Sequence, residues 1–308
     1  MNSGLPDLFG VPLKPDPAIA LQPLQINYSP KSGPLHKVQY VIEFVGPRSM
    51  MAPAVSQLVS PEWHNALGQP EIYAMRPSDL HWQRLSPSQD GSYDSLALAW
   101  DFLGEQGNIT SASAQHLLSF AERFSPHINR RAMPLPPPND VDKVVKALLM
   151  AQENLDVGFS INILADNVGF QEKDLWIECA KLGLDFAPGG TFDYRTPKHP
   201  YPLLSVSPMG FTDVFSLGNV QKDTRHQGAT VGFSVPLCIA PTQALEASFF
   251  VAEHIGHNLA GQVLDQDSRS LTERVKSELR QHLKAAVALY AELGITTGSQ
   301  EALKLFGA

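Results

Sequence analysis

Histidines and paired carboxylates are the side chains of this chain whose types and spacing could support catalysis or metal binding. His254 and His257 lie three residues apart in a stretch predicted to be helical. Nothing near them supplies the glutamate and the third ligand of a zinc protease, so a solvated helix face is the better interpretation. Asp265 and Asp267 flank a predicted turn, where two carboxylates alone make a poor cation site. Capping of the following helix is favoured there.

The sequence motifs of hydrolases and nucleotide-binding proteins are missing from the chain. It contains no G-x-S-x-G, no Gly-Lys-Ser/Thr and no G-x-G-x-x-G. No histidine is followed two positions later by Thr or Ser, which argues against phosphodiesterases built from two repeats that each carry such a motif. The turn Pro188–Thr191 is followed by no lysine that would pair with phosphate. The sequence therefore predicts a protein that is not an enzyme and needs no cofactor or metal.

Charge and cysteine content narrow the class of partner and the compartment. The formal net charge is -8, and Lys and Arg are scattered, so no basic stripe is available for a phosphate backbone and nucleic acid is not expected as a partner. Cys179 and Cys238 are the only cysteines and are predicted to be reduced core residues. Neither a bilayer-spanning segment nor a secretion signal is evident. A cytoplasmic location is predicted.

Three parts follow one another along the chain. Residues 1–35 are rich in proline and show little periodic hydrophobicity, which predicts an extended and mobile leader. Residues 36–155 form a first α/β repeat, which begins with a strand of alternating apolar residues from Val38 to Phe44. Residues 156–308 form a second repeat, whose first strand alternates in the same way from Phe159 to Ile163.

Both repeats show the predicted element order β-α-β-β-β-α-β-α. In the first repeat a helix is predicted around Val55–Val59, a strand at Leu96–Phe102 and a break in regular structure over the proline-rich stretch Met133–Asn139. The ten residues that start at Phe120 can also be aligned without a gap with the ten residues that start at Val251. Strands that follow one another through short links favour an antiparallel sheet. The predicted fold class is α+β: two tandem repeats, each a largely antiparallel sheet with helices on one face.

Small residues are predicted on the sheet face that the helices leave open. Val231, Phe233 and Val235 turn towards the helices, so Thr230 and Gly232 point outward. Such a face has two interpretations: a solvated sheet surface, or a shallow trough into which a partner segment brings its side chains. In the second interpretation Gly158 and Ser160 lie beside Thr230 and Gly232 if the two strands pair, and Phe192 and Met209 supply apolar walls.

Six stretches of the second repeat resemble one known family, in the same order and register over about 140 residues. They are Gly158–Ile163, Leu203–Met209, Gly228–Pro236, Ala252–Ile255, Gly261–Asp265 and the closing helix. These segments are similar to the C-terminal, FtsZ-binding domain of the bacterial division protein ZipA. The extra upstream repeat resembles a tandem-domain branch of that family. The resemblance implies a cell-division accessory role without catalysis.

The resemblance also implies a partner and a site. Domains of this family capture the C-terminal tail of FtsZ in a shallow apolar groove on the open sheet face. Carried over by position, the groove would be formed by Gly158, Ser160, Phe192, Met209, Thr230 and Gly232. Several of these residues are smaller or more polar than their family counterparts, so an interaction or scaffolding module with an unrelated partner is the alternative. A membrane is expected as a partner only through an anchor that this chain lacks.

Overall fold

The computed structural model describes the chain except residues 1–5, 27, 47–49, 52–69, 78–80, 86–91, 210–213 and 308. The helix predicted around Val55–Val59 lies outside the described residues. The chain divides into two compact units, and each combines segments that are distant in sequence. The small unit comprises residues 30–154 and 303–308, and the large unit comprises residues 1–29 and 155–302.

The strands and helices are numbered in chain order. The strands are β1 Gln39–Val45, β2 Met50–Met51, β3 Glu71–Met75, β4 Trp82–Arg84, β5 Ser92–Tyr93, β6 Ser95–Asp101, β7 Leu103–Gly104, β8 Gly107–Asn108, β9 Arg131–Leu135, β10 Gly158–Leu164, β11 Phe170–Gln171, β12 Asp185–Phe186, β13 Phe192–Tyr194, β14 Leu204–Pro208, β15 Arg225–His226, β16 Gly228–Ser234 and β17 Gln262–Asp265. The α-helices are α1 Pro6–Phe9, α2 Ser111–Phe124, α3 Val141–Leu155, α4 Glu172–Lys181, α5 Leu217–Gln221, α6 Pro241–Asn258, α7 Glu273–Glu292 and α8 Gln300–Phe306.

The sheet of the small unit has the strand order β4-β3-β6-β1-β9, and neighbouring strands are antiparallel. Tyr40, Ile42 and Phe44 of β1 are fully buried on one face, and the Tyr40 hydroxyl donates a hydrogen bond to the Ala114 carbonyl of α2. The proline-rich stretch Met133–Asn139 is predicted to break regular structure, but its first three residues belong to strand β9. Pro134 is tolerated there because β9 is an edge strand, which leaves one side of its backbone without ladder hydrogen bonds.

The main sheet of the large unit has the strand order β12-β13-β14-β16-β10-β17, again with antiparallel neighbours. Helix α6 packs on β10, β14, β16 and β17. At Gly256 of α6 an added Cβ would lie 2.5 Å from Val263 Cγ2, so glycine allows the close approach of helix and strand. Cys179 and Cys238 are buried, as predicted. Burial raises the pKa of the Cys238 thiol to about 12.

The two sheets share their central order. In the small unit β1 lies between β6, which precedes helix α2, and β9, which follows that helix. In the large unit β10 lies in the same way between β16 and β17, which precede and follow helix α6. The hairpins at the edge of the two sheets differ. In the small unit the outer strand, β4, follows its neighbour β3 in the chain, whereas in the large unit the strand outside β14 is β13, which precedes it. The predicted α+β class with antiparallel sheets is confirmed.

Most of the proline-rich leader, residues 1–29, belongs to the large unit. The Phe9 ring lies 5.5 Å from the Trp176 ring of α4, measured between centroids, and only 2% of Phe9 is exposed. The Asp16 amide donates a 2.9 Å hydrogen bond to the Lys181 carbonyl at the end of the same helix. The sequence predicted a mobile leader, but these contacts join the leader to the second repeat. Among the described residues, no helix is long and apolar enough to cross a bilayer.

Candidate functional site

The side chains of β10, β14 and β16 alternate between two environments. Phe159, Ile161, Ile163, Val231 and Phe233 are buried on the face covered by α6. The residues between them lie on the opposite face, which we call the open face. Its members on these three strands are Gly158, Ser160, Asn162, Leu164, Ser205, Ser207, Gly228, Thr230, Gly232 and Ser234.

The strand register arranges the open face in rows. One row runs through Asp193, Ser205, Gly232 and Ser160. The next row runs through Ser207, Thr230, Asn162 and Leu264. Within this second row Thr230 Oγ1 donates a 3.0 Å hydrogen bond to Asn162 Oδ1. The centre of the open face is therefore a surface of small side chains that carry hydroxyl and amide groups.

Five of the six residues predicted for the trough lie on the open face. Gly158, Ser160, Thr230 and Gly232 do so by strand alternation. Met209 follows β14, and its amide donates a hydrogen bond to the Gly228 carbonyl. Its sulfur lies 3.1 Å from the position that a Cβ on Gly228 would occupy, so the Met209 side chain reaches the same face.

Phe192 does not join them. It pairs with Val206 in β13 and β14, and both side chains point to the helix-covered face. The Phe192 ring is 3% exposed and lies 5.0 Å from the Trp176 ring and 5.3 Å from the Phe215 ring. Its assignment to the trough is corrected: strand β13 directs this ring into the aromatic core, where burial of its apolar surface stabilises the fold.

Gly232 serves the packing of strands rather than access to a ligand. A Cβ placed on Gly232 would lie 2.9 Å from the carbonyl oxygen of Phe159 on the neighbouring strand. Real Cβ atoms do not approach a backbone oxygen so closely, and a backbone atom cannot turn away as a side chain can. The sequence interpreted Gly232 as the floor of a trough, but the structure shows that any side chain at this position strains the sheet.

We expect Gly232→Ala to lower the free energy of unfolding by about 1–3 kcal/mol, the usual cost of forcing extra volume into a packed site. Gly158→Ala is the matched control, since a Cβ there would lie 3.4 Å from the Phe233 carbonyl oxygen, an ordinary contact. Chemical denaturation of both variants measures the difference. A Gly232→Ala variant as stable as Gly158→Ala would show that β10 and β16 have room to separate.

A carboxylate closes one side of the open face. Asp193 is 3% exposed, and its Oδ1 accepts hydrogen bonds from Thr191 Oγ1 at 2.9 Å and Ser205 Oγ at 2.7 Å. Arg195 donates to its other oxygen from Nε at 3.1 Å and Nη2 at 2.6 Å. Because the carboxylate is paired and hydrogen-bonded, its role is to fix β13 against β14.

The opposite end of the open face is more apolar. Leu164 pairs with Gly228, beside which Met209 lies. A depression of about 490 Å³ begins at Leu164 and continues between the loop after β10 and the residues before β16. Val168, which is 63% exposed, and Arg225 line it. Sequence reasoning missed Leu164 and this depression, although Leu164 has the same strand parity as Ser160.

Two of the side chains singled out in the sequence, His254 and Asp265, make structural contacts. His254 Nε2 lies 2.9 Å from Glu178 Oε2 and is part-buried, so it does not belong to a solvated helix face. Asp265 is fully buried and accepts the amide of Arg269 at 2.8 Å as well as its guanidinium. It therefore closes the turn, and Thr272 caps the following helix.

A second buried pair lies near the depression. His226 Nε2 is 2.7 Å from Glu172 Oε2, while the other oxygen of Glu172 accepts hydrogen bonds from Trp176 Nε1 and the Ser216 amide. The contacts of this carboxylate with His226 and Ser216 join α4 to β15 and to the start of α5. In the part of the chain that the structure describes, no group of three His, Cys, Asp or Glu side chains is placed to hold a metal ion.

Comparison with known proteins identifies the domain that carries the open face. Residues 158–282 match the family model described as ZipA, C-terminal FtsZ-binding domain. The match spans β10 to the middle of α7, and therefore includes every strand that contributes to the open face. It confirms the family that the sequence resemblance indicated. None of the curated proteins compared with the chain matches it.

Proposed function

We propose, from the membership of residues 158–282 in the ZipA C-terminal family, that this protein is a non-catalytic cell-division factor that binds the C-terminal tail of FtsZ. The family match is the observation that carries the proposal. The proposed site is the open face of the large unit, with Ser160 and Thr230 at its centre and Leu164 and Met209 at its apolar end.

The open face has two properties that suit a peptide. Its small central side chains allow a peptide backbone to approach the sheet closely. Their hydroxyl and amide groups offer hydrogen bonds to the polar groups of that backbone, which would otherwise lose water without compensation. Leu164, Met209 and the adjacent depression provide apolar surface for one or two anchoring side chains. At about 25 cal/mol per Å² of buried apolar surface, this end supplies most of the proposed binding energy.

The proposed place of action is the cytoplasm, at the division septum. The tail of FtsZ is the proposed macromolecular partner, and neither nucleic acid nor a small-molecule cofactor enters the proposal. The net charge of -8 agrees with this choice. Association with the inner face of the plasma membrane would require an anchor outside the segments described above.

We further propose that the two units arose by duplication of one domain. The shared central strand order and the helix between equivalent strands support this proposal. In it, β1, β6 and β9 correspond to β10, β16 and β17, and the different edge hairpins are later changes.

Titration of the FtsZ C-terminal tail peptide against the full chain tests the proposed function. We expect saturable binding by isothermal calorimetry or fluorescence anisotropy, and a scrambled peptide of the same composition should not bind. Chemical-shift changes on binding should include the amides of Ser160 and Thr230. The absence of binding at millimolar concentrations of the peptide would contradict the proposal.

The hydroxyl-rich centre of the open face favours one second candidate, an interaction module of the same fold whose partner is unrelated to FtsZ. Ser160, Ser205 and Ser207 bury little apolar area, so this face binds an apolar tail less strongly than a groove of aliphatic residues would. Affinity capture with the full chain separates the candidates. Recovery of another protein without FtsZ, lost in a variant that blocks the open face, would favour the module.

A further inference from the structure

The last residues of the chain contact the sheet of the small unit. Residues 303–308 belong to this unit, and Lys304 on helix α8 reaches two carboxylates of the sheet. Its ammonium nitrogen lies 2.9 Å from Asp101 Oδ1 and 3.6 Å from Glu71 Oε2. Only 24% of the Lys304 side chain is exposed, so these are contacts of a docked segment and not of a freely solvated lysine.

The two carboxylates lie on the sheet face opposite α2. Asp101 pairs with Gln39, and Glu71 pairs with Ala99, which in turn pairs with Val41. All of these residues alternate with Tyr40 and Ile42, which face the helix. Gln39 is fully buried and donates to Glu71 Oε2 at 2.7 Å and to Asp101 Oδ1 at 3.0 Å. It therefore holds both carboxylates in position for one cation.

Burial of the face beside these carboxylates indicates that it is covered. Val41, Ala97 and Ala99 are at most 1% exposed, although they lie on the face without α2. They form one apolar cluster with Tyr73, flanked by Trp82 and Leu135. The face opposite α2 therefore has a buried apolar floor, with the carboxylates that contact Lys304 beside it.

Other contacts fix the C-terminal segment at the same unit. Leu305 is 5% exposed, and its carbonyl accepts a 2.6 Å hydrogen bond from Gln152 Nε2 of α3. Burial tends to raise the pKa of Glu71, but the hydrogen bond from Gln39 and the charge of Lys304 outweigh it and hold the pKa below its usual value. The ionised form of Glu71, which attracts Lys304, is thereby favoured.

We propose that the sheet face of the small unit opposite α2 is a peptide-docking surface and that its occupant is the chain's own C-terminal segment, residues 303–307. Lys304 is the charged anchor, paired with Asp101 and Glu71, and Leu305 is the apolar anchor. The helix-free sheet faces of the two units then serve different purposes: the small unit binds a segment of the same chain, and the large unit keeps its open face for a partner. This inference is independent of the identity of that partner.

Charge reversal in the full chain tests the docking. Lys304→Glu and Asp101→Lys should each increase the hydrogen-exchange rate of the peptide covering residues 303–307 by at least about tenfold, because each places like charges side by side within about 4 Å. The double variant should restore slow exchange, since the lysine introduced at position 101 can pair with the new carboxylate at position 304 and with Glu71. Lys284→Glu, at an exposed position of α7, is the control and should leave the exchange unchanged.

Binding in trans gives a second measurement that does not depend on a salt bridge. Leu305→Asp should release the segment, and a labelled peptide of residues 299–308 should then bind this variant and not the wild type, whose surface is occupied. Rescue of slow exchange by the double variant, or selective peptide binding by Leu305→Asp, would support the proposal. Equal exchange of residues 303–307 in the wild type and all variants, together with no peptide binding to Leu305→Asp, would overturn it.

Discussion

A Ser160→Trp variant should lose at least about tenfold in affinity for the FtsZ tail peptide, equivalent to about 1.4 kcal/mol of binding free energy. Ser160 lies at the centre of the proposed site, and its Cβ already points out of the open face beside Gly232. An indole there would cover the neighbouring small residues and fill the space that a peptide backbone needs. It would do so without the backbone clash that any side chain at Gly232 produces.

The matched control is Gln243→Trp, which places the same indole at an exposed position of α6 on the other side of the sheet. Both variants should unfold at a denaturant concentration close to that of the wild type. Calorimetric titration of each with the tail peptide then compares occlusion of the open face with the mere addition of an aromatic ring. Wild-type affinity in Ser160→Trp would place the binding site elsewhere on the molecule.

Phe192→Ala should lower the free energy of unfolding by about 3–5 kcal/mol, the usual cost of removing a buried aromatic ring. The ring contacts Trp176, Phe186 and Phe215, and truncation leaves a cavity among aromatic neighbours that cannot close it. Chemical denaturation measures this loss. Because Phe192 lies on the helix-covered face, the folded variant should bind the tail peptide as the wild type does.

Phe250→Ala is the control for this second variant, since Phe250 is 42% exposed on α6 and its truncation should cost less than about 1 kcal/mol. The pair of measurements separates two roles for Phe192. A wall of the peptide site would give weaker binding with little change in stability. That result would contradict the placement of Phe192 in the aromatic core.

Strand alternation was sufficient to predict the centre of the open face. The seven residues of β10 and the seven of β16 each contain several apolar and polar alternations, so a shift by one residue would have placed every apolar side chain in water. Ser160 and Thr230 were thereby assigned to the correct face before any tertiary information was available. The α+β class followed from the same pattern and from the short links between strands.

Short strands and close backbone contacts were beyond reach of the sequence pattern. Strand β13 has three residues, all of them buried, so alternation gives no sign of which face Phe192 occupies. The approach of the Phe159 carbonyl to Gly232 depends on the distance between strands, which sequence does not encode locally. The packing of the leader is hidden from the sequence for a related reason: Phe9 contacts Trp176 through a tertiary contact that leaves no periodicity.

Because residues 1–29 belong to the large unit, the main segment of the small unit, residues 30–154, is inserted in sequence between two segments of the large unit. Residues 1–29 and 155–302 form a single compact unit, so the unit that carries the open face is discontinuous in sequence. A fragment cut at residue 156 would lack Phe9 and the backbone bond from Asp16 to Lys181. Replacing residues 30–154 by a short linker between residues 29 and 155 would instead keep those contacts.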